Sequence, residues 1–344
     1  MIVDADAHVI ETDATWEFIT EEDLAAAPVA ASGRDAQGQE QSYWIIDGKA
    51  RPPGGAGNTG SMFPKGSREL VDIPGRLRHM DELGVDVHVI YPSLLSPITD
   101  RPETDLAMSR GYNRQLGHAW EQSGNRLRWA AVLPLMTMSE ALPELRWSRD
   151  HGACAVFMRS IEGDRHVIDP YFYPLYEEAQ KLDVPICVHA SIGSQPLFDI
   201  LTQGADQGNF LKFKLTVVGA FHQLVMNRTP EDFPRLRWGF IETSSAWIPF
   251  VMHDLIRRFR RKGMDFPDHV FRDYRMYVAC EADDDLPFIL KYSGEDHIVI
   301  GTDYSHSDNS TEMEAITHLL ERTDVDQRIL RKIVDDNPRA LYAI

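Results

Sequence analysis

Residues 1–11 read MIVDADAHVIE: a short apolar run carrying Asp4, Asp6, His8 and Glu11. Side chains two apart in a strand share a face, so Asp4, Asp6 and His8 are expected on one side and Val3, Ala5 and Ala7 on the other. Three such polar groups are costly to bury without partners. Either this is an edge strand with a wet polar face, or its tip belongs to a site whose other groups come from elsewhere in the chain.

Seven further runs rich in Val, Ile and aromatic residues follow: VDVHVIYPSL (85–94), LRWAAVLPL (127–135), GACAVFMRS (152–160), VPICVHAS (184–191), LRWGFIET (236–243), YRMYVACEA (274–282) and HIVIGTDYS (297–305). Segments with helical spacing separate them, at 73–84, 103–123, 139–152, 170–183, 210–227, 245–263 and 283–294, and two more helices are expected after the last run. Strands too apolar for a wet face, alternating with helices, imply a parallel sheet covered by helices. Eight such units imply a (β/α)8 TIM barrel. A doubly wound open sheet is the alternative, but no glycine-rich turn follows the first strand to support a nucleotide site. Residues 1–344 are therefore expected to form a single barrel domain. Residues 28–72, with RPPGGAGNTGSMFPKGS at 51–67, break the rhythm. A loop of that length is usually functional or disordered, and its place after the first strand puts it over the barrel mouth, as a lid or an oligomer contact. No internal repeat is visible.

The 344 residues, 43% hydrophobic and 26% charged, suffice for a large core that folds unaided. A formal net charge of −18 argues against nucleic acid or an anionic membrane as partner. No apolar run reaches the length of a membrane span, and the acidic N-terminus is unlike a signal peptide, so a cytoplasmic protein is expected. Cys154, Cys187 and Cys280 each sit in a β-like apolar run, which suits reduced, buried thiols.

In a barrel the C-terminal strand ends meet at one mouth, so residues far apart in sequence can share a site. The first strand ends in Asp6 and His8 with Glu11 just beyond, the fifth in His189, the sixth in Glu242, the seventh in Glu281, and the eighth in Asp303 with His306 beyond. Each alone has an ordinary reading as a core histidine or a helix cap. Together they predict a metal site. Asp6, His8, His189, Glu242 and Asp303 form a mixed carboxylate and imidazole set without thiolate, suited to Zn, Mn or Fe(II). Five donors exceed what one tetrahedral ion needs, so one or two divalent ions are expected, with Glu11, Glu281, His222 and His306 as further donors or supporting partners. Arg159, ending the fourth strand, either holds a substrate carboxylate or phosphate or pairs with a neighbouring acid. Trp16, Tyr91, Phe198 and Trp247 either line a pocket or belong to the core.

The segments DADAHVIE (4–11), VPICVHAS, FPRLRWGFIETSSAWIPFVMHDL (233–255) and GEDHIVIGTDYSHSD (294–308) resemble the amidohydrolase superfamily, in its branch of amidohydrolase-related proteins and metal-dependent decarboxylases. The resemblance covers nearly the whole chain. It implies His189 and Asp303 as metal ligands, Asp303 also moving protons. The family's first strand usually ends in His-x-His, and here Asp6 and His8 occupy those places. Decarboxylases of the branch carry a catalytic histidine on strand six, where this chain has Glu242 followed by Thr243 and Ser244. That departure, with a pair of ions, favours a metal-dependent hydrolase that cleaves an ester, thioester, lactone or amide of a small organic acid derivative by metal-activated hydroxide. Asp303 would take the water's proton, Arg159 and Trp247 would hold the substrate, and His222, in an amphipathic helix, either packs against the fold or donates a proton. The alternative is non-oxidative, metal-dependent decarboxylation of an aromatic or unsaturated acid. A non-enzymatic barrel would show degenerate strand ends, which this sequence lacks. The expected partner is a small molecule, and aromatic residues around 43–72 would support a homodimer.

Overall fold

Eight apolar runs form eight strands: β1 (Val3–Val9), β2 (Val87–Pro92), β3 (Leu127–Val132), β4 (Ala153–Arg159), β5 (Ile186–His189), β6 (Trp238–Ile241), β7 (Met276–Cys280) and β8 (Ile298–Ile300). They make one sheet in chain order, and the pairings between neighbours are parallel. A parallel bridge between Ala7 and Tyr304 brings the tip of β8 back to β1 and closes the ring. This computed structural model, which describes residues 1–34, 38, 40–51, 62–94, 99–203, 210–307 and 311–344, is a (β/α)8 TIM barrel.

Helices fill the intervals between strands: α1 (Ile73–Leu83), α2 (Pro102–Gln122), α3 (Met138–Asp150), α4 (Tyr173–Lys181), α5 (Thr216–Met226), α6 (Ile248–Lys262) and α7 (Leu286–Ser293). Their ends follow local chemistry. Asp72 caps α1 by accepting from Gly75 N, and Gly84 stops it in the left-handed conformation at φ 70°. Among the described residues three helices follow β8, where two are expected from the sequence: Ala315–Glu321, Gln327–Val334 and Asp336–Tyr342. The last carries Tyr342 to the barrel wall, where its hydroxyl donates to Ala5 O at 2.8 Å and meets Tyr91 Oη at 2.9 Å. Cys154, Cys187 and Cys280 are buried free thiols on β4, β5 and β7.

Two expectations change. The register between β1 and β2 slips by one residue between Asp4 and Ala7, a β-bulge that breaks the period of two. Asp4 therefore does not join Asp6 and His8; it accepts from Thr302 N at 2.9 Å and faces His88 Nε2 at 3.5 Å. Burial pushes its carboxyl up to about 7. The insertion is also more than a loop. Val29–Arg34, Glu40–Ile46 and Lys49–Arg51 form an antiparallel sheet, whose second hairpin turns on Asp47 and Gly48 at φ 52° and 72°, as an Asp-Gly turn favours. Lys49 and Arg51 reach the barrel mouth, Arg51 Nη1 donating to Gln195 Oε1 at 2.7 Å. Much of the Pro- and Gly-rich stretch, at 52–61, lies outside the described residues.

Candidate metal centre

The strand ends turn sharply where the candidate donors stand. Glu242, Ser244, Asp303 and Ser305 all have left-handed backbones, at φ 61°, 57°, 55° and 93°. Each costs about 1–3 kcal/mol for a residue with a side chain, and such strain persists only where surrounding contacts fix it. Asp284 fixes the β6 turn, accepting from Ser244 Oγ, Ser245 N and Ser245 Oγ at 2.7 Å each. The β8 turn is fixed by β1, since Asp303 N donates to Asp6 O at 2.8 Å and His8 N to Tyr304 O at 2.7 Å. Gly301 permits this approach: a Cβ there would sit 2.2 Å from the Asp6 Cβ.

Four donor atoms converge between these turns. Asp6 Oδ1 stands 3.3 Å from His8 Nε2 and 3.2 Å from His189 Nε2, and His8 Nε2 stands 3.2 Å from Asp303 Oδ1. An ion bound at about 2.1 Å spaces adjacent N and O ligands roughly 3.0–3.4 Å apart, so these separations match the edges of one coordination shell. His8 supplies the fit test. Its Nδ1 lies 3.1 Å from Pro92 O, which assigns the proton to that nitrogen. Its Nε2 is buried and makes no hydrogen bond. Burial first, then His306 and His189, push its pKa well below the ordinary value, so the ring is neutral. A lone pair then faces two carboxylates, which repels unless a cation sits between them. The donor set fits a divalent ion.

Other groups surround this set. The His306 ring stacks on His8 at 3.8 Å between centroids, with its Nδ1 2.8 Å from Asp303 Oδ1 and its Nε2 2.7 Å from Ser93 Oγ. Thr311 Oγ1 donates to Asp303 Oδ2 at 2.7 Å. Glu242 Oε2 lies 3.4 Å from His189 Nδ1, on the far side of the ring from the nitrogen that meets Asp6. Tyr91 and Phe157 flank His189, at 4.8 and 5.8 Å between ring centroids. Candidate donors fall into two groups, Asp6, His8, His189 and Glu242, and His8, Asp303 and His306. Both include His8, whose Nε2 stands between Asp6 and Asp303.

The structure does not bring every candidate there. His222 is half-buried on α5 and pairs with Asp254 of α6 at 3.0 Å. Glu281 pairs with Lys214 at 2.5 Å and lines a small cavity with Asp6, Glu242 and Asp303. Glu11 accepts from Ser93 N and Leu94 N at 3.0 Å each, bracing the turn after β2, and burial raises its carboxyl to about 7. Arg159 is matched by Glu162, whose Oε2 takes its Nε at 2.7 Å. Trp247 packs on Phe221, Trp16 on Trp44, and Phe198 lies under the Lys212 ammonium. Arg159 and Gln195 do border a cavity of about 960 Å³, lined also by Lys49 and Arg51 of the insertion. Sequence reasoning missed Ser93, Thr311 and Arg76. Only Arg76 had a signal, a cation on the same face of α1 as buried Ile73 and Met80.

The amidohydrolase family's sequence pattern matches residues 3–344. The chain belongs to the amidohydrolase family. An amidohydrolase from Mycobacterium avium subsp. paratuberculosis K-10 is similar in structure, with a TM-score of 0.79 at 17% identity over 100% of this chain and 98% of its own. A 4-oxalomesaconate hydratase from Rhodopseudomonas palustris gives 0.66 at 15% identity, over 100% of this chain and 96% of its own. A 5-carboxyvanillate decarboxylase from Novosphingobium aromaticivorans, complexed with manganese and 4-hydroxy-3-methoxy-5-nitrobenzoic acid, gives 0.64 at 15% identity, over 78% of this chain and 79% of its own. These likenesses concern the fold. No curated protein matches the chain.

Proposed function

We infer that this member of the amidohydrolase family is a metal-dependent decarboxylase, releasing carbon dioxide from a small aromatic or unsaturated carboxylic acid without a redox step. The observation that carries the reading is the geometry at His8, a member of both donor groups, whose Nε2 stands 3.3 Å from Asp6 Oδ1 and 3.2 Å from Asp303 Oδ1. The hydrolase expectation leaned on two ions, and this geometry supports one. Asp6, His8, His189 and Asp303 would hold it, as Mn, Zn or Fe(II), with Glu242 orienting His189 from behind. A 5-carboxyvanillate decarboxylase of the same fold carries manganese, which supports the choice of ion and reaction.

When bound, the ion would act as a Lewis acid on the substrate's carboxylate and a neighbouring oxygen. The residues do the rest. As the bond to the carboxyl carbon breaks, its electron pair stays on the ring or chain carbon, which takes a proton from Asp303. His306, 2.8 Å from Asp303 and backed by Ser93, would return that proton. Leu135 and Phe172, which line the cavity with Arg159, would wall the apolar side of the substrate. Glu242 favours a second reading, hydrolysis or hydration, in which its carboxylate serves as base to a water molecule.

The test is manganese- or zinc-loaded protein offered hydroxylated benzoates and unsaturated diacids in deuterated water. Carbon dioxide release with deuterium at the vacated carbon is expected, and Asp303→Asn should lower the rate by roughly a hundredfold or more. Ester or lactone cleavage without carbon dioxide would replace this reading with the hydrolase.

A further inference from the structure

Arg76 stands on α1, wholly buried. Among the described residues no carboxylate lies within ion-pair distance of it, although burying an uncompensated cation costs several kcal/mol. Its hydrogen bonds show what retains it. Nε and Nη2 reach His88 Nδ1 at 3.1 and 2.9 Å, while Nη1 donates to His8 O at 3.1 Å, Ser305 Oγ at 3.1 Å and Ser67 O at 3.3 Å. The guanidinium carbon lies 3.8 Å from the centre of the Tyr304 ring, so the planar cation is also held on its face.

Two of those acceptors, the His8 carbonyl and the Ser305 hydroxyl, belong to the segments that carry the metal centre. His8 is one proposed ligand, and Ser305 lies two residues beyond another, Asp303. Ser305 Oγ itself donates to His8 O at 2.7 Å, so Arg76 completes a triangle joining the tips of β1 and β8. Arg68 holds the same turn from the other side, its Nε donating to Ser305 O at 2.8 Å. Asp303 and Ser305 are left-handed, and a strained turn keeps that shape only while its contacts over-determine it.

We propose that Arg76 is a positioning residue of the metal centre: by tying His8 O to Ser305 Oγ it sets the spacing between the β1 and β8 donors. This rests on the metal centre inferred above. Lysine cannot replace it, because a single ammonium lacks the planar fork that serves His88, His8 and Ser305 together.

The measurement is manganese affinity of the full chain by chelator competition, beside thermal midpoint, for wild type, Arg76→Met, Arg76→Lys and Ser305→Ala. Leu145→Ala, in the core under α3, provides a variant destabilised away from the centre. Arg76→Met should bind the ion roughly ten- to a hundredfold more weakly, the range for losing a partner that orients a ligand. Arg76→Lys should recover only part of that loss, Ser305→Ala should lose several-fold, and Leu145→Ala should lose midpoint but not affinity. Folded Arg76 variants that bind manganese as tightly as wild type would overturn the proposal. If Arg76→Met does not fold, Ser305→Ala decides, and unchanged affinity there overturns it as well. A wild type that binds no ion sinks the metal centre itself, whereas a wild type that binds with unaffected variants sinks Arg76 alone.

Discussion

At the scale of single residues, position along a strand foretells who arrives at the barrel mouth, not what each does there. Asp6, His8, His189 and Asp303 were legible because a parallel barrel converges its strand ends. Glu242 arrives there too, grouped with Asp6, His8 and His189 and 3.4 Å from His189 Nδ1, but periodicity cannot tell a donor from a donor's partner. Its place behind His189 makes a prediction: metal analysis of Glu242→Gln should still find about one ion per chain, bound more weakly, whereas Asp6→Ala should lose it. The place of His222 stays open in the sequence, because an amphipathic helix offers the same histidine to the barrel or to its neighbour, and in the structure it pairs with Asp254. Asp105, on the cavity wall, gives a pH test away from the donors. Burial raises its carboxyl to about 6, against the lowering pull of Arg159 and of the hydrogen bond from Met136 N. A carboxyl raised in the folded state keeps its proton longer there than when unfolded, so its stabilising contribution is present below about pH 4 and lost as pH rises to about 6. Asp105→Asn, which keeps an acceptor for Met136, escapes that loss. Urea unfolding at pH 4 and pH 7 should show the variant gaining about 2 kcal/mol on wild type between the two.

At the scale of elements, two local features of chain geometry escaped the pattern of apolar residues. The bulge in β1 costs one residue of register and separates Asp4 from Asp6, although both lie on one face of an ideal strand. Nothing in the composition of DADAH marks it; the cause is tertiary, because Asp4 is claimed by Thr302 and His88. The insertion's hairpin did carry a signal, Asp47-Gly48 after the alternating strand Glu40–Ile46, outweighed by the Pro and Gly residues that follow. The tip of β8 depends on Gly301 for a different reason. A methyl group there meets Asp6 Cβ at 2.2 Å and Asp6 N at 2.7 Å, backbone and root atoms that cannot swing aside. Gly301→Ala should therefore cost about 1–3 kcal/mol in overpacking. It should also weaken manganese binding by moving Asp6, a loss that chelator competition separates from the stability loss seen by denaturation.

At the scale of the whole molecule, the barrel is closed by few contacts where the chain's beginning meets its end. The Ala7 bridge to Tyr304, the Asp303 and His8 backbone bonds and the Tyr342 hydroxyl on Ala5 all fall on that seam. The proposed ligands straddle it: Asp6 and His8 lie on one side and Asp303 on the other, with His189 across the mouth. A bound ion would therefore staple first strand to last, and its binding energy would add to folding because the unfolded chain offers no assembled site. Manganese at about a hundred times its dissociation constant should stabilise the protein by about 2.7 kcal/mol. For a chain of 344 residues that corresponds to a rise in midpoint of about 4 °C. Calorimetry with and without manganese should show that rise in wild type, its reversal by chelator, and its absence in Asp6→Ala. A wild-type midpoint indifferent to manganese, zinc and iron(II) would leave the carboxylates facing His8 without the cation their geometry demands, and the centre would have to be rebuilt around a protonated Asp6 or Asp303.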